Sequence, residues 1–99
     1  MSKDPLLQPY QLKHLTLKNR IMTTSHEPAY PEDGMPKERY RAYHEERAKA
    51  GVALAMTAGS AAVSKDSPPV FNNILVYKDE VVPWIQNLTD GCHEHGCAV

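Results

Sequence analysis

No stretch of this 99-residue chain stays apolar long enough to cross a membrane; a spanning helix needs about 18 or more such residues. Met1-Ser2-Lys3-Asp4 also lacks the hydrophobic segment of a secretion signal, so the expectation is a soluble, cytoplasmic protein. Neither sign of charge dominates: 11 Lys and Arg against 12 Asp and Glu leave a net charge of −1. That excludes the basic footprint of a nucleic-acid binder and the polybasic patch of a membrane-surface protein. Cysteine is scarce, and two such residues without a secretory signal read as free thiols rather than a disulfide. Glycine numbers only five, with no Gly-x-Gly-x-x-Gly among them. Gly34 and Gly51 therefore make no phosphate loop, and no dinucleotide fingerprint is present. Internal repeats and low-complexity tracts are absent as well.

What is present is an alternation of strand and helix signals. Residues 1 to 18 carry Pro5, Pro9 and the spaced apolar positions Leu12, Leu15 and Leu17, which predict an irregular arm ending in a short β-hairpin. Arg20 to Ser25 reads as a strand, and Glu27 to Met35, with Pro28, Pro31 and Gly34, as a loop. A helix is predicted from Pro36, a residue suited to a first helical position. Tyr40, Tyr43, His44, Arg47 and Ala48 share one face, Glu45 and Lys49 are spaced as an ion pair, and Gly51 ends the helix. Val52 to Ala58 is continuously apolar or small, as in a parallel strand buried on both faces.

Gly59 and Ser60 end that strand, and a long loop with Pro68, Pro69, Asn72 and Asn73 follows. Such loops carry function or cover a site. A second helix is predicted with Asp79 as N-cap, Pro83 in its first turn, and Val81, Ile85, Leu88 and Cys92 as its apolar stripe. Cys97-Ala98-Val99 reads as the opening of a third strand. This order argues for an α/β fold with a parallel sheet, and a chain that stops inside a strand is expected to be an amino-terminal fragment that does not fold stably alone.

Few residues stand out as carriers of chemistry. Thr24 and Ser25 end the first strand, with His26 and Glu27 just beyond, where α/β enzymes present groups to ligands. An ordinary strand-to-loop junction has the same composition, Glu27 also reads as a solvated loop carboxylate, and His26 as a satisfied histidine. Gly59, lacking a Cβ, allows close backbone approach to a planar group, or simply ends a strand. The run Cys92-His93-Glu94-His95-Gly96-Cys97 offers zinc-type ligands. Because Cys92 lies on the helix stripe and Cys97 past the helix end, no metal site is expected.

Several of these segments, in order, resemble the FMN-dependent Old Yellow Enzyme (NADH:flavin oxidoreductase) family. They are Leu6 to Pro9 (with Leu7 where the family has Phe), Leu17-Lys18-Asn19-Arg20, Asp33-Gly34, Arg47 to Val52, Thr57-Ala58-Gly59 and His93-Glu94-His95-Gly96. The resemblance implies the amino-terminal part of a (β/α)8 TIM barrel of about 250 residues or more: its first two βα units and the start of strand three. Residues 1–99 would be part of one FMN-binding domain.

By that resemblance Thr24, Ser25, His26, Glu27 and Gly59 lie against the isoalloxazine ring, while the FMN phosphate is held by later loops. Relatives carry, at the position of Glu27, a cysteine that bonds FMN covalently, or a threonine or cysteine that tunes it. Glutamate does neither, so noncovalent FMN is expected, and Glu27 can instead face a cationic amine. Tyr30 lies near a substrate-facing tyrosine of some relatives, displaced by one residue, with Ala29 at the matching position.

The implied activity is hydride transfer through flavin N5 to or from a small-molecule substrate, as an N-demethylase of a small methylated amine. The alternatives are a 2-enoate or dienoyl-CoA reductase using NAD(P)H, or a non-catalytic barrel fragment or binding module. The similar branch has longer chains with a 4Fe-4S cluster and a second domain for FAD or NAD(P)H. A homo-oligomer fits this family, and the fragment alone is expected to be inactive.

Overall fold

A computed structural model of the chain describes residues 3–99. The arm begins with a single 3-10 turn, Pro5–Leu7, in which the Asp4 carboxylate accepts the Leu6 amide at 2.9 Å. The expected hairpin follows: β1 (Tyr10–Leu12) and β2 (Leu15–Leu17) pair antiparallel with Tyr10 opposite Leu17 and Leu12 opposite Leu15. Lys13 takes the left-handed conformation, φ 52°, that so tight a connection requires.

β3 (Met22–Thr23) and β4 (Leu54–Ala55) then pair in parallel. The crossover between them contains α1 (Glu38–Lys49), which packs on β4. Beyond β4, Ala98 bridges Leu54 in parallel, with Ala55 N–H to Ala98 O and Ala98 N–H to Ala53 O both 2.8 Å. The spatial order is therefore strand one, two, three, with helix α2 (Val81–His93) in the second crossover, as expected of an unclosed barrel wall.

The regular ladder is shorter than the expected spans Arg20 to Ser25 and Val52 to Ala58, pairing only Met22 with Leu54 and Thr23 with Ala55, with a last bond from Met56 N–H to Thr23 O at 3.2 Å. Ala53 and Ala55 are buried while Met56 is 44% exposed. The second strand is thus covered on its helix side only, and not on both faces as its composition suggests. Its other face looks into the space that further strands of a barrel would enclose.

Helix α1 starts two residues later than expected. The turn closed by Met35 N–H to Glu32 O (3.0 Å) leads through buried Pro36 to Lys37, the N-cap, which makes no side-chain cap bond. Tyr40, His44 and Ala48 form its buried stripe, whereas Tyr43 and Arg47 lie at the edge with the guanidinium 3.7 Å from the ring centroid. The ion pairs are Arg41–Glu45 (3.0 Å) and Lys49–Glu46 (3.4 Å) in place of the expected Glu45–Lys49.

Helix α2 is capped by Glu80 rather than Asp79: tight turns from Val81 N–H to Lys78 O and Val82 N–H to Asp79 O precede it. Pro83 falls at its third residue, where the missing N–H has no intrahelical partner to lose. The helix closes through Gly96 at φ 72°, with Gly96 N–H to His93 O and Cys97 N–H to Cys92 O in the double-bonded pattern of a glycine-terminated helix. The two helices meet at Gly91, where an added Cβ would come within 2.9 Å of Arg41 Nε and Glu45 Oε2.

The core joins Met35, Tyr40, Ala55, Ile74, Leu88 and Cys92. Part of the long loop is not irregular: β5 (Ala61–Ala62) and β6 (Ile74–Leu75) pair in parallel, and Leu75 N–H bonds Gly34 O at 2.9 Å. Among the described residues, no helix is long and apolar enough to cross a membrane.

Candidate functional site

The carboxyl ends of β3 and β4 open onto the same rim, and the residues there are short. Thr24 and Ser25 follow β3 with exposed side chains; Ala58, Gly59 and Ser60 follow β4, with Gly59 and Ser60 exposed. The Thr23 hydroxyl at the end of β3 is buried and has no hydrogen-bond partner in the chain. Ala58 sits at φ 36°, and its N–H is satisfied by the Tyr40 hydroxyl at 2.8 Å. Burial raises the Tyr40 phenol above its ordinary value, a rise the Ala58 bond opposes and the Glu27 charge reinforces. The phenol thus stays protonated beneath the rim.

Glu27 lies across Gly59. Its Cβ would be 3.4 Å from a Cβ placed on that glycine, an ordinary contact, so the glutamate stem lies directly alongside Gly59. The carboxylate accepts from Ala29 N–H through Oε1 and from Asn73 Nδ2 through Oε2, both at 3.2 Å. Asn73 is only 4% exposed and also donates to the Ser60 carbonyl (2.7 Å) and hydroxyl (2.6 Å). Its neighbour Asn72 donates to the Ala29 and Pro31 carbonyls at 3.1 and 2.7 Å. Two asparagines of the long loop therefore lash it to the loop after β3. An open cleft of about 600 Å³ lies between these loops, lined by His26, Glu27, Ala29, Val70, Phe71 and Asn72.

His26 projects from the rim with Nδ1 2.9 Å from the Tyr43 hydroxyl and its ring stacked on that tyrosine. Tyr30 stands edge-on to Tyr43 and beneath the Arg39 guanidinium, 4.0 Å from the ring centroid. Tyr30 is thus held in the aromatic cluster of α1 and is absent from the cleft lining. His44, one turn inward, is a packing residue: both ring nitrogens are buried without partners, and burial, with Arg47 nearby, lowers its pKa to about 4.

Of the residues expected from sequence, Thr24, Ser25, His26, Glu27 and Gly59 all fall on this rim. Asn72, Asn73, Tyr40 and Tyr43 were not foreseen as site residues. A consecutive Asn-Asn pair in a proline-containing loop was the one visible sign, since asparagine amides commonly bond nearby backbone. The candidate zinc run does not converge with Cys92 and Cys97 as ligands. Both thiols are free and buried, and burial pushes Cys92 up to about 11 and raises Cys97.

Residues 5–99 match the profile of the family described as NADH:flavin oxidoreductase / NADH oxidase. The chain belongs to that family. It is 75% identical over 99 residues to a Rhizobium meliloti (strain 1021) protein named "probable N-methylproline demethylase", covering all of this chain and 15% of the relative. It is 52% identical over 98 residues to a multifunctional alkene reductase/demethylase of Caballeronia cordobensis, covering 99% of this chain and 14% of the relative. The flavin oxidoreductase segment described here therefore spans about one-seventh of the length of these relatives. Its fold superposes on morphinone reductase in complex with tetrahydroNAD with a TM-score of 0.81 at 18% identity, over 93% of this chain and 24% of that one. That likeness shows the fold: the amino-terminal part of a (β/α)8 barrel, with its sheets unclosed.

Proposed function

We propose that this chain forms the first wall of a noncovalent FMN site in an oxidoreductase that removes an N-methyl group from a small methylated amine. The observation that carries the flavin reading is the set of exposed short residues, Thr24, Ser25, Gly59 and Ser60, at two adjacent strand ends. A flat group with a polar edge fits there, because short side chains allow close backbone approach and the Thr24, Ser25 and Ser60 hydroxyls offer donors and acceptors. Thr24, Ser25 and the Gly59 backbone would line it, with His26 held at its margin by Tyr43. FMN would supply acceptance of a hydride, the two-electron oxidation that a methylated amine needs before water can release formaldehyde.

The noncovalent state is supported by the position of both cysteines, buried away from the rim with raised pKa values. The N-demethylase reading is supported by the name of the relative that is 75% identical. Alkene reduction with NAD(P)H, of a 2-enoate or dienoyl-CoA, is the second reading, supported by the name of the relative at 52%. The lengths of both relatives leave room for a 4Fe-4S cluster and an FAD or NAD(P)H domain elsewhere in a longer chain, working in the cytoplasm as a homo-oligomer.

The test is an absorbance spectrum of the full-length gene product before and after acid precipitation, followed by turnover with N-methylproline and with 2-cyclohexenone. Flavin released to the supernatant and formaldehyde from N-methylproline are expected, and a broad shoulder beside the flavin bands would register the cluster. NAD(P)H consumption with cyclohexenone and no formaldehyde would select the reductase. A colourless protein that takes up no FMN would leave only a non-catalytic barrel.

A further inference from the structure

We infer that Glu27 is a recognition site for a protonated secondary or tertiary amine, read by its N–H, with Val70 and Phe71 forming the apolar wall for the N-alkyl groups. This rests on the reading of the rim as a flavin site and names the ligand chemistry of the cleft beside it. The argument begins with Asn73. Its Nδ2 carries two hydrogens and faces three oxygens: Ser60 Oγ at 2.6 Å, Ser60 O at 2.7 Å and Glu27 Oε2 at 3.2 Å.

The longest of the three is the one to Glu27, so its oxygen receives only a shared hydrogen. The amide cannot turn away to serve it better, because Asn73 Oδ1 accepts the Phe71 amide at 3.2 Å. Oε1 has one further bond, from Ala29 N–H at 3.2 Å. A carboxylate has about four acceptor sites, and the chain partly fills two of them.

Nor does the chain supply a counter-charge. Among the described residues, no lysine, arginine or histidine lies within ion-pair distance of Glu27, although ion pairs occur elsewhere along α1. Glu27 is nonetheless fixed in place, with its stem against Gly59 and its two oxygens tied to two different loops. A positioned carboxylate with open acceptor sites, in a cleft otherwise lined by Val70, Phe71, Ala29, Asn72 and His26, suits a cation that bears an N–H and apolar substituents. An aromatic face beside the carboxylate adds attraction for the same cation. A quaternary ammonium has the charge but no N–H to donate, so it is the weaker ligand here. A thioester or enone has neither.

The experiment uses the full-length, flavin-loaded protein, wild type and Glu27→Gln, titrated calorimetrically with N-methylpyrrolidine, N,N-dimethylpyrrolidinium and 2-cyclohexenone. Glu27→Gln keeps the shape of a half-buried side chain and is expected to weaken N-methylpyrrolidine binding about tenfold or more. FMN content should not change, and any loss should be confined to the amine. Wild type is expected to bind the quaternary ion more weakly than the tertiary amine by about tenfold or more, the effect of one charge-assisted hydrogen bond.

Unchanged amine affinity in Glu27→Gln would overturn the proposal. So would loss of FMN from that variant, which would make Glu27 a flavin contact, and so would equal binding of the two cations. A flavin-bearing wild type that binds neither cation would overturn this inference alone. A flavin-free wild type with Glu27-dependent amine binding would instead overturn the flavin reading and leave the amine site standing.

Discussion

The two ends of the parallel strands are built on different principles. At the amino end the floor is regular: an antiparallel hairpin lies beneath the strands, and Asn19 ties the approach to the first strand, donating to Gly51 O at 2.7 Å and accepting from Ile21 N–H at 3.0 Å. The apolar hollow above the hairpin, about 280 Å³, is lined by Tyr10, Leu12, Leu17, Ile21 and Leu54, with Arg20 over the Tyr10 ring.

At the carboxyl end the backbone is irregular. Ala29, Ala58 and Asn72 all sit at positive φ, a conformation that costs a non-glycine residue on the order of 1–3 kcal/mol. It is held there by the side chains of Tyr40, Asn72 and Asn73. The floor relies on repeated backbone pairing and burial, which many sequences supply. The rim depends on particular amides and one phenol, as expected where a barrel does its chemistry.

The largest expected effect that sharpens this contrast lies in the layer that carries both ends. Leu88→Ala, at a position 1% exposed in the core, should lower stability by about 2–5 kcal/mol, read as a shift of the urea midpoint of the full-length protein. The Glu27-dependent amine affinity should be spared wherever the protein remains folded.

Next comes pH. His44 is neutral when folded and has its pKa lowered to about 4, so the unfolded chain, at about 6.5, takes up the proton first. Its stabilising contribution is complete above about pH 6.5 and is lost as pH falls from there to about 4, by roughly 3 kcal/mol. Urea midpoints measured across that window should fall more steeply for wild type than for His44→Phe; parallel slopes would refute the assignment.

At the joint between core and rim, Tyr40→Phe removes the acceptor of the Ala58 amide. It should destabilise by about 1–3 kcal/mol, and it should also perturb the rim, visible as faster amide exchange at Ala58 and Gly59. The smallest effect is expected from Asn72→Ala, under about 1 kcal/mol globally because its bonds are at the surface. Limited proteolysis between residues 63 and 72 should nevertheless quicken, whereas Asn19→Ala at the floor should leave it unchanged.

Legibility in the sequence follows the same division. The hairpin, both helices and the parallel order could be read from local patterns, because apolar spacing and chain stops report which face of an element is buried. Helix starts were displaced by one or two residues: Pro36 is a plausible first helical residue and Asp79 a plausible cap locally, but the turns at Glu32–Met35 and Lys78–Val82 decide where each first helical hydrogen bond can form.

The rim residues adjacent to the strands, Thr24 to Glu27 and Gly59, were also legible, since a strand end announces them. Asn73 was not. Its partners Glu27 and Ser60 lie 46 and 13 residues away, and no periodicity encodes that meeting.

By itself, then, the amino-acid order determined the alternation of strand and helix, the membership of a flavin oxidoreductase family and the short side chains at two strand ends. Those properties are set by neighbours along the chain. Only the tertiary structure decided that Glu27 would lie over Gly59, tied to Ala29 and Asn73 and without a cationic partner. A carboxylate's hydrogen bonds and counter-charges come from whatever the fold brings within about 3–4 Å, and those groups are distant in sequence.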